Sequence, residues 1–156
     1  VDVRVDRVAA PTTYPLRQRV LRPHQTLDQL ALPGDDDPET AHFAALDEAG
    51  AVVGTASVRR EAPAWDPADV RAWRLRGMAT DEDRRRSGVG QRVLAAAVAH
   101  VGDRGGGVLW CHARLGAVPF YEHCGFVVHG EPFEEPDIGP HVAMWRLVPG
   151  SAAAQP

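Results

Sequence analysis

At 156 residues, 44% apolar and 24% charged, the chain is long enough to close one hydrophobic core without disulfides or metal and offers little reason to expect two domains. A net charge of −4 argues against a nucleic-acid or anionic-membrane partner, and no run reaches the ~18–20 apolar residues of a membrane span. All 17 basic residues are arginine, a usage typical of GC-rich bacterial genomes. The two cysteines make no disulfide framework and the first residues lack an apolar signal core, so the expected location is the cytoplasm.

Val1–Ala9 alternates apolar and polar residues, a strand pattern, and Thr12 or Thr13 is placed to cap a short helix running to Leu21 ahead of Pro23. Pro33 to Glu39 reads as an acidic loop. His42–Leu46 and Ala51–Arg59 form two expected strands around a turn at Asp47–Gly50. Val70–Thr80 is a longer strand, with Trp73, Leu75, Gly77 and Ala79 on one face and Arg74, Arg76, Met78 and Thr80 on the other. After a loop at Asp81–Ser87, the spacing of Val89, Val93, Ala97 and Val101 predicts an amphipathic helix that Gly105–Gly107 ends. Val108–His112 is a buried strand and Ala117–Cys124 a short helix with Pro119 in its first turn. Phe126–His129 and His141–Leu147 are the last strands. The order is β-α-(α)-β-β-β-α-β-α-β-β, with a central βαβ unit and hence a locally parallel pair in a mixed sheet.

The chemistry centres on Arg85-Arg86-Ser87-Gly88-Val89-Gly90, between a strand and a helix. A helix N-terminus leaves backbone N–H groups unpaired and is electropositive, glycines let an anion approach the backbone, and arginine adds paired donors. Such a turn suits a diphosphate; taken alone, a solvated basic turn explains it equally well. A dinucleotide fingerprint is excluded because Val93 stands where the third glycine is needed, and a P-loop needs a lysine that the chain lacks.

The run Leu75–Leu94 resembles the acetyl-CoA-binding motif of the GNAT superfamily, [Gln/Arg]-x-x-Gly-x-[Gly/Ala], with Arg85, Gly88 and Gly90 filling it. Ala117-Val-Pro-Phe-Tyr-Glu-His-Cys-Gly-Phe126 is similar to the family's second motif, and the resemblance covers Ala41 to Leu147. The segments Gly130–Phe133 and Ile138–Met144 look like the ElaA-like branch. The resemblance implies an α/β (α+β) fold. Its sheet would be central, mixed, mostly antiparallel and twisted, of about six or seven strands with a splayed parallel pair, flanked by about four helices. One domain at 1–148 and a flexible tail at 149–156 complete that expectation.

The resemblance also assigns roles. The backbone of Met78, Ala79 and Thr80 would bond the pantetheine arm, and a main-chain N–H at Ala79 or Thr80 would polarise the thioester. Arg85, Arg86, Ser87, Gly88, Val89 and Gly90, with Gln91 or Arg92 after them, would hold the diphosphate, and Arg114 joins the coenzyme-binding set. Tyr121 would protonate the leaving thiolate; outside the motif it reads as a core aromatic. No carboxylate lies on the polar face of the strand before the loop, where many relatives carry a glutamate. His112 is therefore the candidate base, with Cys111 and Glu82 behind it; a strand-end histidine bonded to backbone is the plainer alternative. Arg74, Arg76 and His141 are candidate acceptor contacts. Arg17, Arg19 and Arg22 are further positive positions toward a negatively charged acceptor, with solvated surface arginines as the plainer alternative. The cysteines and histidines match no common zinc spacing, and Arg84–Arg86 as an RNA patch runs against the acidic balance.

The implied activity is acetyl transfer from acetyl-CoA, with no metal, to a primary amine that attacks directly in a ternary complex. The acceptor is expected to be a small molecule rather than a protein, with no nucleic-acid or membrane partner and a possible homodimer. The alternative is an acyl-CoA-sensing module without turnover.

Overall fold

Apolar residues at every second position pair the first strands. In the computed structural model, which describes residues 2–151, β1 (Arg4–Val8) runs antiparallel to β2 (Ala41–Leu46), and β2 antiparallel to β3 (Val52–Arg60). Strand β4 (Trp73–Thr80) pairs in parallel with β5 (Gly107–Arg114). Strand β7 (Gly139–Val148) lies antiparallel to both β5 and β6 (Val127–Glu135). The hydrogen-bonded order is β1-β2-β3-β4-β5-β7-β6, a seven-stranded mixed sheet with one parallel pair, as expected from the sequence.

Helices α1 (Ala10–Leu21), α2 (Val89–Asp103) and α3 (Val118–His123) are the α-helices among the described residues, where about four were expected. The missing one is reduced to a single 3-10 turn, Leu27–Gln29, whose Thr26 N–H is closed by Gln29 Oε1 at 2.9 Å. Pro23 and Pro33 leave it no room to grow. Two further 3-10 turns sit at Glu82–Arg84 and Leu115–Ala117.

Other boundaries move for local reasons. Helix α1 opens at Ala10 with Pro11 in its first turn; the Thr13 hydroxyl donates to Ala10 O at 2.7 Å instead of capping. Strand β4 starts at Trp73, not Val70, because the residues before it close turns, Asp69 N–H onto Asp66 O and Ala72 N–H onto Asp69 O. Strand β6 runs past Gly130 to Glu135 by shifting register between His129 and Phe133.

The chain divides into two compact units, one formed by residues up to Arg59 with Gly77–His100, the other by Arg60–Arg76 and residues from Val101 on. In the first, Val3, Ala45, Val53 and Val89 make one buried cluster with Val5 packed against it. Arg17, a candidate contact to a negatively charged acceptor or else a solvated arginine on the sequence alone, is instead buried. It pairs with Asp35 at 3.3 Å and donates to Leu30 O and Thr13 Oγ1, the hydrogen bonds a buried ion pair requires. In the second, β5 and β7 are in register from Gly107↔Val148 to Arg114↔His141. Ser151, placed in the expected tail, donates to Gly102 O and to Asp103 Oδ1; residues 152–156 lie outside the described residues.

Candidate active site

The first unit carries the loop expected to hold a diphosphate. Asp81 leaves β4 by donating its N–H to Val53 O at 2.9 Å, then accepts the Asp83 N–H to open the 3-10 turn. The Ser87 hydroxyl closes on the Arg84 carbonyl. Arg86, at φ 64, and Gly88, at φ 87, then reverse the chain into α2. The left-handed conformation is easy for glycine and costs arginine energy.

The first rung of α2 is Arg92 N–H onto Gly88 O at 3.1 Å, which leaves the amides of Val89, Gly90 and Gln91 ahead of the ladder. A Cβ at Gly88 would meet nothing within 4 Å, so the turn faces open space. Arg84 is drawn to Asp47 at 3.5 Å, whereas Arg85 and Arg86 are exposed and have no ion pair among the described residues. Three open amides, the positive helix end and two available guanidiniums fit a doubly anionic group.

What fixes this loop is its buried neighbour. Val89, the first residue of α2, is fully buried against β3 at Gly54, where a Cβ would come within 2.7 Å of Val89 Cγ1. Burial of that side chain stabilises by roughly 1.5–3 kcal/mol and anchors the helix start. Met78, Ala79 and Thr80 end β4 in the same unit, with Ala79 buried.

The second unit carries the candidate acid, base and acceptor residues. Among the described residues the parallel ladder between β4 and β5 comprises Trp73↔Leu109 and Arg74↔Trp110 and goes no further. Cys111 and His112 stand where that pairing has ended, and as neighbours on a strand they point to opposite faces.

Tyr121 lies on the Cys111 side, buried against the rings of Phe120 and Phe126 at 5.3 Å each. Burial, and then the thiols of Cys111 and Cys124, push its pKa well above the ordinary tyrosine value. Its hydroxyl makes no hydrogen bond with another described residue. Cys111 is itself pushed up to about 12 by burial, so it holds its proton and is unsuited to act as a base.

His112 lies on the other face, edge-on to Phe133 at 4.9 Å and tilted against Trp110 at 5.3 Å. Its Nδ1 is 3.4 Å from Arg74 Nη2 and 3.9 Å from Glu135 Oε1. Burial first, and then Arg74, lower its pKa below 6.5; Glu135 opposes the shift, His141 adds to it and Glu61 weakly opposes it. The ring is therefore neutral at pH 7, as a base must be.

Arg74 is bound on both sides, by Glu61 at 2.9 Å and by the face of Trp110 at 4.7 Å. His141 is buried and donates from Nδ1 to Gly139 O at 2.9 Å, leaving the lone pair on Nε2. Arg114 stands opposite His141 in the β5–β7 register, and Arg76 is half-buried on β4.

Within the second unit the structure groups Arg74, His112 and His141; Glu82 belongs to the exposed 3-10 turn of the first unit. Arg19 is taken up by Asp81 at 3.0 Å. Two carboxylates went unnoticed in the sequence, Glu61 and Glu135. They reach Arg74 and His112 from elements other than β4, and no spacing within one strand signals them.

A family model of the acetyltransferase (GNAT) domain matches residues 20–146. The chain belongs to the GNAT acetyltransferase family. It is 32% identical over 148 residues to the uncharacterized N-acetyltransferase YitI of Bacillus subtilis (strain 168), covering 94% of this chain and 97% of that one. These two findings make this GNAT protein an N-acetyltransferase.

Solved structures share its fold. A putative N-acetyltransferase from Lactobacillus plantarum superposes with a TM-score of 0.71 at 22% identity, over 95% of this chain and 99% of that one. A GNAT superfamily phosphinothricin acetyltransferase from Sinorhizobium meliloti, solved with AcCoA, gives 0.73 at 17% identity, over 100% of this chain and 94% of that one. Among the described residues of the GNAT chain no cluster of metal-binding side chains assembles, and no helix is long and apolar enough to cross a membrane.

Proposed function

We propose that this N-acetyltransferase uses acetyl-CoA and passes the acetyl group to a primary amine by direct attack in a ternary complex. The observation that carries the reading is the set of open amides at Val89, Gly90 and Gln91 behind Arg86 and Gly88. Those amides, with Ser87 and the guanidiniums of Arg85 and Arg86, would hold the diphosphate, and Arg114 joins the same set. Main-chain groups of Met78, Ala79 and Thr80 would bond the pantetheine arm.

When bound, acetyl-CoA supplies a thioester whose acyl group can pass to nitrogen. His112, neutral at pH 7, takes the proton of the acceptor's ammonium and so frees the attacking lone pair. Tyr121, kept protonated by burial, gives its proton to the departing sulfur. Arg76 and His141 are assigned to the acceptor, with Arg74, whose charge Glu61 already shares.

The acceptor we favour is a small amine rather than a protein, in a cytoplasmic bacterial enzyme that forms a homodimer. Kinship to the ElaA-like branch rests on Gly130–Phe133 and Ile138–Met144. The test is an amine panel read by thiol release with and without acetyl-CoA. Release that stops in Tyr121→Phe supports the reading; coenzyme binding without release from any amine would leave an acyl-CoA sensor instead.

A further inference from the structure

An imidazole acts as a base only through the nitrogen that carries the lone pair, and whatever meets the other nitrogen decides which one that is. At His112 two groups of opposite preference meet the same atom. Arg74 Nη2 is 3.4 Å from Nδ1, and a guanidinium has only donors, so the Nδ1 lone pair faces it and the ring proton sits on Nε2. Glu135 Oε1 is 3.9 Å from the same Nδ1, and a carboxylate only accepts. Closing that gap requires the proton on Nδ1 and leaves the lone pair on Nε2. The ring is framed by Trp110 and Phe133, with Glu61 behind Arg74 and His141 on β7 as further titratable neighbours and Arg114 two residues on along the same face of β5.

Building on the acetyl-transfer reading with His112 as base, we propose that Arg74 and Glu135 select the tautomer of His112 in response to the acceptor. An amine that also carries a carboxylate or phosphate draws Arg74 away from Nδ1. Water takes the proton from Nε2 and returns one to Nδ1, so the charges of ring and solvent are unchanged, and Glu135 accepts the hydrogen bond of the new Nδ1–H. The lone pair now on Nε2 receives the proton of the ammonium, and Glu135 offsets the imidazolium that forms. Glu135 is a positioning residue, and the acceptor class is an amine bearing an anion.

Ring nitrogen NMR shifts of His112 in the protein alone test the selector independently of turnover. The expected results are a proton on Nε2 in the wild type, a proton on Nδ1 in Arg74→Met, and no such transfer in Arg74→Met combined with Glu135→Gln. Glu135→Gln alone should lower kcat on the order of tenfold at unchanged KM for acetyl-CoA. It should also move the acid limb of the rate profile to lower pH, because it removes a carboxylate that raises the His112 pKa. A proton already on Nδ1 in the wild type, an unmoved ring in Arg74→Met, or an unchanged acid limb in Glu135→Gln overturns the proposal. Should Arg74→Met fail to fold, the limb in Glu135→Gln, whose side chain is part-exposed, decides. The expected ring shifts without thiol release from any amine would sustain the selector and overturn the acetyl-transfer reading.

Discussion

Two side chains separate what the site needs from what the fold needs. Tyr121 is buried and its hydroxyl bonds no described residue, so Tyr121→Phe removes a polar group for which the fold gains no internal hydrogen bond. Unfolding in urea should show Tyr121→Phe unchanged or more stable by up to about 1 kcal/mol. Its kcat should fall on the order of 10²-fold. Arg86 sits at φ 64, a conformation glycine adopts freely, so Arg86→Gly should gain about 0.5–1 kcal/mol while weakening coenzyme binding. A fall in both stability and affinity would mean that the side chain also supports the turn. As the proposed base, His112 should set the pH response. Its folded pKa is depressed, so between 6.5 and that lower value the unfolded chain binds more protons than the folded one. Its contribution to stability is therefore complete above pH 6.5 and is lost as pH falls through that window, and the acid limb of activity should lie below 6.5. A limb above the ordinary imidazole range would exclude His112 as the base.

At the scale of the element, the loop and helix proposed to hold the coenzyme depend on a hole in β3. Gly54→Ala places a methyl 2.7 Å from Val89 Cγ1, and valine has no flexible end to yield. We expect a loss of about 1–3 kcal/mol in thermal or urea unfolding, together with weaker CoA binding, although residue 54 belongs to neither motif. The pattern of elements was readable in the sequence because strand alternation and the α2 stripe are local signals. The 3-10 turn at Leu27–Gln29, the late start of β4 and the bulge in β6 were not, since turn hydrogen bonds and register shifts compete with those signals. The turn at Arg86–Gly88 was readable for the same local reason, as a glycine pair opening a helix. Glu61 and Glu135 were not, because only the folded sheet brings them beside Arg74 and His112.

For the whole molecule, binding and folding are linked. A ligand held by the folded chain alone, present at 100 times its Kd, adds about 2.7 kcal/mol. For a chain of this size that raises Tm by roughly 5–11 °C. Scanning the protein with and without CoA should show that rise, and added salt should shrink it if Arg85 and Arg86 grip the diphosphate. An unmoved Tm at saturating CoA counts against the coenzyme site itself.

The socket at Gly54 also constrains heredity. Val89 opens the helix behind the proposed coenzyme turn and belongs to the buried cluster with Val3, Ala45 and Val53, so on that reading one methyl pair serves both inheritance of the fold and retention of the coenzyme. Drift at position 54 is tolerable only with compensation at 89, and homologous chains should therefore co-vary there, a side chain enlarged at one site being matched by one trimmed at the other.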